Sequence, residues 1–241
     1  MRKLIFAAMA AGAVSASLAL GATGALASGK PAAIKNATNA CGSACVDVHF
    51  LVPGRHALLT SKSGYAFANN LVRLTQGSNG AAKQDFRRVS LSTVAPLYCT
   101  PTGQAEPGSV FTPSQCALLD NAGLLGATTF QLAFDPYGGG PETLCVGSES
   151  VLPQSGAKAR LEPCGLSAAT VLIETSSLPT GKTTAGSHWL ISGGSNNFSN
   201  PLVLTSTGTY PSNLYWETVV VNGSKGQDTQ EVRLTAGPFT V

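Results

Sequence analysis

The chain has 241 residues, 27 of them Gly and 14 Pro, with 11% charged and 43% apolar side chains, enough for one domain with a real core or two small ones. Its formal net charge of +3 includes Arg2 and Lys3 of a leader, so the remainder is close to neutral and lacks the basic cluster that nucleic-acid binding needs. The low charge content does not imply disorder, because apolar residues are plentiful.

Residues 1–27 read as a secretion signal. Arg2 and Lys3 form a positive start, residues 4–20 are apolar or small, and Ala25-Leu26-Ala27 supplies a small-x-small cleavage pattern. A membrane anchor is disfavoured, because the apolar run is marginal for a span of ~20 residues and Gly21, Thr23 and Gly24 follow at once. No later stretch is long and uncharged enough to cross a bilayer; Asp120 interrupts the best one. The expectation is a secreted, extracellular protein with no membrane contact after cleavage. Residues 28–45 are small and polar without periodicity and read as a flexible arm. Residues 46–241 read as a single domain.

Six cysteines follow the leader: Cys41, Cys45, Cys99, Cys116, Cys145 and Cys164. An even number in an exported chain implies disulfides, and many pairings are open. Neighbours in the chain make the economical set: 145–164, 99–116 and, across a tight turn, 41–45. Each longer bridge contributes roughly 3 kcal/mol by restricting the unfolded chain. No Cys-x-x-Cys occurs, and His49, His56 and His188 are scattered, so no metal site is expected.

Internal repetition organises the domain. Three segments share one order: an opening strand, two short apolar strands, a Gly/Ser-rich turn and a closing strand. The first copy, about 46–90, has strands at 46–52, 56–61, 71–75 and 83–89. The second, about 128–175, has them at 129–134, 144–146, 159–164 and 170–174. The third, about 187–236, has them at 188–192, 201–206, 215–221 and 229–235. Val46-Asp47-Val48 and Phe130-Gln131-Leu132 show the period-2 alternation of half-buried strands. No convincing helix of about ten residues is found, so the class is all-β. Between copies one and two, residues 91–127 form an insertion. Its Pro- and Gly-rich part, 100–113, reads as a long loop that a 99–116 bridge would staple. Tyr98, Phe111 and Leu124-Leu125 either pack this excursion onto the domain or face a partner.

The closing strands of copies one and three match best, Gln84-Asp85-Phe86-Arg87 against Gln230-Glu231-Val232-Arg233, with Thr170 and Leu172 at the equivalent places in copy two. These repeats resemble the ricin-type β-trefoil family, whose repeats end in Gln-x-Trp and form a six-stranded barrel capped by a triangle of hairpins. Leu144-Cys145-Val146, with Ala159-Arg160-Leu161-Glu162-Pro163-Cys164-Gly165, is similar to that family's repeat in which a disulfide joins the two middle strands. The resemblance covers about 46–90 and 128–236. It implies a β-trefoil of three four-stranded repeats with a disulfide-bounded insertion between repeats one and two. The same strands could otherwise form a β-sandwich.

The resemblance also implies a lectin-like module that binds carbohydrate. In the family an Asp after the second strand accepts bonds from sugar hydroxyls, an aromatic on the third strand stacks on the ring, and an Asn precedes the Gln. The Asp position falls near Lys62, Gly147-Ser148 and Ser206-Thr207; the stacking position near Arg73, Glu162 and Val219; the Asn position at Lys83, Ala169 and Thr229. Gln84 and Gln230 match. An altered sugar site is therefore expected, with Tyr137 on a Gly-rich loop, Glu162, Tyr215, Trp216 and Gln230 as its candidates, although burial in a strand is the commoner fate of a residue like Trp216. No Gly-x-Ser-x-Gly, His-Glu-x-x-His or phosphate-binding loop occurs, so neither catalysis nor a cofactor is expected. The expected partner is an extracellular glycan or polysaccharide. The alternative is a secreted protein, held as a hydrolase inhibitor holds its target, through the loop between Cys99 and Cys116.

Overall fold

The computed structural model describes residues 41, 44–51, 58–61, 71–75, 86–135, 144–165, 167–176, 186, 188–209, 212–220 and 228–236. The expected signal, most of the arm, Gln84 and Tyr137 lie outside the described residues.

Six strands open or close the three repeats: β1 (Val46–Phe50) and β4 (Phe86–Thr93), β5 (Thr128–Phe134) and β8 (Leu172–Thr175), β9 (Trp189–Ser192) and β13 (Val232–Ala236). Alternation turns Val46, Val48 and Phe50 of β1, Phe130, Leu132 and Phe134 of β5, and Leu190 of β9 into one shared core. Pairing then closes a ring. β1 runs antiparallel to β13 from Val46↔Ala236 to Phe50↔Val232. β4 pairs β5 from Phe86↔Phe134, and β8 pairs β9 from Leu172↔Ser192. Within repeats, β5 meets β8 at Phe130↔Leu172, His188 and Val232 exchange two backbone bonds of 2.8 Å, and Cys45 bridges Arg87. The circuit β1-β4-β5-β8-β9-β13 returns to β1 as a closed six-stranded barrel.

Three hairpins cover one end of it: β2 (Leu58–Ser61) with β3 (Val72–Thr75), β6 (Leu144–Ser148) with β7 (Ala157–Pro163), and β10 (Leu202–Thr205) with β12 (Tyr215–Thr218). A two-residue strand, β11 (Ser212–Asn213), joins the last hairpin to β3. The hairpins meet through the pairs Leu71↔Arg160, Lys158↔Tyr215 and Asn213↔Arg73. In each, the residue before a fully buried side chain (Val72, Ala159 or Leu214) pairs with the residue after the next one. That relation, repeated three times, is what a pseudo-threefold axis requires. Leu214 N donates to Val72 O at 3.1 Å and Ala159 N to Leu214 O at 2.9 Å.

The chain is a β-trefoil, and its closed circuit excludes two stacked sheets. Phe86, Leu172 and Val232, where the family carries the Trp of its closing motif, are all fully buried in the core. Three disulfides are present, Cys41–Cys45, Cys99–Cys116 and Cys145–Cys164, the economical set.

The insertion holds a helix beyond the loop read at 100–113. After a kinked turn, α1 (Val94–Leu97), and the exposed loop, it forms the helix α2 (Pro113–Asn121). Thr112 caps it: Gln115 N donates to Thr112 Oγ1 at 3.2 Å and Thr112 N to Gln115 Oε1 at 2.9 Å, with Pro113 as first helical residue. Residues 112–115 carry this box in sequence, but the Pro and Gly preceding it dominate a loop reading. Tyr98, Phe111, Cys116, Leu119 and Leu124 pack on the outward side chains Ile173, Trp189 and Ile191, forming a second core outside the barrel. Packing is thus the fate of Tyr98, Phe111 and Leu124. Each such buried apolar side chain stabilises by about 1.5–3 kcal/mol.

Candidate functional site at the barrel mouth

The end of the barrel away from the hairpins is filled by charge. Period two places Arg88 two residues beyond Phe86, Glu174 two beyond Leu172, and His188 two before Leu190, so all three enter the interior from different walls. Arg88 Nη2 donates to Glu174 Oε2 at 2.5 Å, and His188 Nδ1 lies 3.3 Å from Glu174 Oε1. The Arg88 guanidinium carbon sits 4.3 Å from the centroid of the Phe130 ring, a cation–π contact that roofs the core. The Glu174 side chain is 11% exposed. Arg88 and His188 each meet a different oxygen of this carboxylate, which fixes its orientation at the mouth.

Beside Glu174 and His188 opens a cleft of about 720 Å³. Its far wall is the end of α2 and the following turn, with Asn121, Gly123, Leu124 and Gly126; Thr128, Thr175 and Ser176 complete it. Asn121, Thr128 and Ser176 are exposed. The volume lies within the range of small-molecule sites. Its amide, hydroxyls, carboxylate and imidazole can donate to and accept from a ligand rich in hydroxyl groups. A smaller hollow, about 250 Å³, lies on the other side of Arg88 against Cys45, Leu234 and Ala236. Among the described residues, no group of three or more His, Cys, Asp or Glu could hold a metal ion.

The residues singled out in sequence fall elsewhere. Trp216 is fully buried, and its Nε1 donates to Gly147 O at 3.1 Å, so it is a core residue and presents no face to a sugar. Gln230 is also buried. Its Nε2 donates to Thr218 O at 3.0 Å and Thr205 Oγ1 at 3.2 Å, and its Oε1 accepts from Val220 N at 2.8 Å; it clamps the third hairpin to the closing strand. Thr170 has the corresponding place before β8 and accepts from Gln131 Nε2 at 2.9 Å. Glu162 and Tyr215 are half-buried on the outer face of the cap, on β7 and β12. Burial raises the Glu162 carboxyl above its ordinary range; Arg160 pulls it down and Glu149 pushes it up.

The familiar sugar site is not built in the second repeat, for a steric reason. A Cβ on Gly147 would stand 2.7 Å from Ala169 O, and Ser148 is buried with its hydroxyl on Ser150 O, so no acidic side chain fits there. In the third repeat Ser206 is buried, its backbone N on Thr229 O at 2.8 Å. The mouth triad escaped sequence reading because Arg88 and Glu174 are 86 residues apart. Their common offset from Phe86 and Leu172 in the aligned repeats was the available signal.

No protein-family model matches this chain, and no curated protein does. Among solved structures it is similar to a designed three-fold symmetric protein, ThreeFoil, at 12% identity and a TM-score of 0.48, over 78% of this chain and 96% of that one. It is also similar to a Caenorhabditis elegans protein of unknown function, at 6% identity and a TM-score of 0.43, over 81% of this chain and 94% of that one.

Proposed function

We propose that this protein is an exported, non-catalytic carbohydrate-binding module that takes a polyhydroxylated ligand in the cleft at the barrel mouth. The observation that carries the reading is the Glu174 carboxylate, held by Arg88 and His188 at the edge of a cleft lined with hydroxyl and amide groups. A fixed carboxylate is a strong, directional acceptor for sugar hydroxyls, and its preorganisation spares the ordering cost of binding. Three disulfides support an oxidising, extracytoplasmic location.

The test is calorimetric titration with neutral oligosaccharides chosen from a glycan array. Glu174→Gln should weaken binding about tenfold or more, the worth of a charge-assisted hydrogen bond. Asn121→Ala and Ser176→Ala, both exposed, should weaken it without lowering the melting temperature. Incubation should leave the oligosaccharide intact by a reducing-end assay. Absence of binding across neutral and acidic glycans alike would overturn the proposal.

One observation favours a second reading, in which a secreted protein is the partner. The loop between Cys99 and Cys116 is both exposed and braced, with Thr100 N on Gln104 O at 2.6 Å and Glu106 N on Tyr98 O at 2.9 Å. A rigid exposed loop is what a hydrolase inhibitor presents. Inhibition of a secreted hydrolase, abolished by cleavage within 100–110 and indifferent to Glu174→Gln, would decide for it.

A further inference from the structure

At the capped end, the three hairpins build a second polar constellation on the pseudo-threefold axis. Val72, Ala159 and Leu214 turn into the core there, so their chain neighbours turn outward. The neighbours that follow are Arg73, Arg160 and Tyr215; those that precede are Leu71, Lys158 and Asn213. The pairs Leu71↔Arg160, Lys158↔Tyr215 and Asn213↔Arg73 place the six around the axis, opposite members having Cα atoms about 4.5–5.5 Å apart. Three of the six are cations and one is aromatic.

These cations are incompletely satisfied. The Nε atoms of Arg73 and Arg160 are both buried without a hydrogen-bond acceptor. Arg160 Nη2 meets Glu149 Oε2 at 3.0 Å, and that carboxylate is 69% exposed. No ion pair joins Arg73 or Lys158 to a described residue, and Lys158 is exposed. The other carboxylates of this face stand one same-face position farther along their strands. Glu217 accepts from Ser155 Oγ at 2.5 Å, and Glu162 has a buried, unpartnered Oε1 whose burial favours the neutral acid. The centre of the face is therefore positive.

We infer that the cap axis is a second binding site, for a saccharide bearing a carboxylate or sulfate group, with the anion between Arg73, Arg160 and Lys158 and the sugar ring against Tyr215. The inference rests on the glycan-binding reading but uses none of the mouth residues. A guanidinium offers paired donors to a planar or tetrahedral oxyanion, and a half-buried phenol ring offers an apolar face beside it. Uronate and sulfate esters share this chemistry.

The test uses the full chain with three probes: an oligogalacturonate, a sulfated dextran oligosaccharide and a neutral oligosaccharide that binds at the mouth. Either acidic probe should bind, more weakly as NaCl rises, and the tighter one identifies the anion. Arg73→Gln or Lys158→Gln should weaken acidic binding about tenfold each, the worth of one charge-assisted contact. Tyr215→Ala should weaken it as well, and neutral binding should be unchanged in all three variants, whose melting temperatures report folding. If neutral glycan binds and neither acidic probe does, the inference is overturned while the mouth reading stands. Acidic binding indifferent to Arg73→Gln and Lys158→Gln also overturns it. If nothing binds, both readings fall.

Discussion

Two tryptophans anchor the two cores, and neither is available to a ligand. Trp189 is 1% exposed in the core beneath the insertion, and Trp216 is 0% exposed in the barrel. Trp216→Ala should cost about 3–5 kcal/mol by chemical denaturation, the range for emptying an aromatic site. Trp216→Phe keeps most of the packing and should cost less, close to the ~1 kcal/mol of its bond to Gly147. Iodide should fail to quench the emission of the folded protein, and saturating glycan should leave it unshifted. A sugar-induced blue shift would contradict this account of Trp216. Alternation puts Trp216 on the parity opposite the charged Glu217, which favours its burial, so naming both Tyr215 and Trp216 as sugar contacts crosses that parity.

Glu162 gives a residue-scale test in pH. Its carboxyl is raised above its ordinary value, chiefly by burial. The folded protein therefore takes up this proton at a higher pH than the unfolded chain does. Stability from this group should rise as pH falls from neutrality towards the unfolded-state value, and the gain levels off below it. Glu162→Gln should be more stable than the parent at neutral pH, and the stability difference between them should shrink on acidification towards about pH 4.5. A difference that grows on acidification would contradict a raised Glu162 carboxyl.

At the scale of elements, the insertion behaves as a small domain annex. The Cys99–Cys116 bridge closes a loop of sequence separation 17 and joins α2 to the turn before it. Tyr98 and Phe111 lie 4.8 Å apart by ring centroids, and Phe111 reaches Phe198 at 6.2 Å. Gln115 Nε2 donates to Ser195 O at 3.2 Å, tying the helix to the turn after β9. Replacing both cysteines by Ala should lower stability by roughly 3 kcal/mol. Because α2 forms the far wall of the cleft, the same variant should weaken neutral-glycan binding and leave binding at the cap unchanged; calorimetry on the folded variant checks both. The helix is short and its moment weak, so hydrophobic periodicity could not reveal it. Only the Thr112–Gln115 box and Pro113 announce it, and a local cap is easily outweighed by a Pro- and Gly-rich approach.

For the molecule as a whole, the barrel strands were legible because their inward positions are apolar at period two, although β5 and β9, and β6 of the cap, are buried on both faces. The opening strands at Val46, Phe130 and Leu190 and the closing strands at Phe86, Leu172 and Val232 carry one core between them. The candidate sites were not legible in the same way. Arg88, Glu174 and His188 come from three strands around the barrel, and Arg73, Arg160 and Tyr215 from three hairpins around the cap; only closure brings either set together. Gln230, by contrast, looked like a sugar contact and is a clamp, because a side chain able to bond to a ligand is equally able to bond to backbone.

The most direct measurement is amide chemical-shift mapping of the isotope-labelled protein during titration with a neutral oligosaccharide. Shifts should concentrate at Gly123, Gly126, Thr128, Thr175 and Ser176, around the cleft beside Glu174. Shifts confined to the 149–156 turn or to the loop between Cys99 and Cys116, with the mouth amides unmoved, would contradict it.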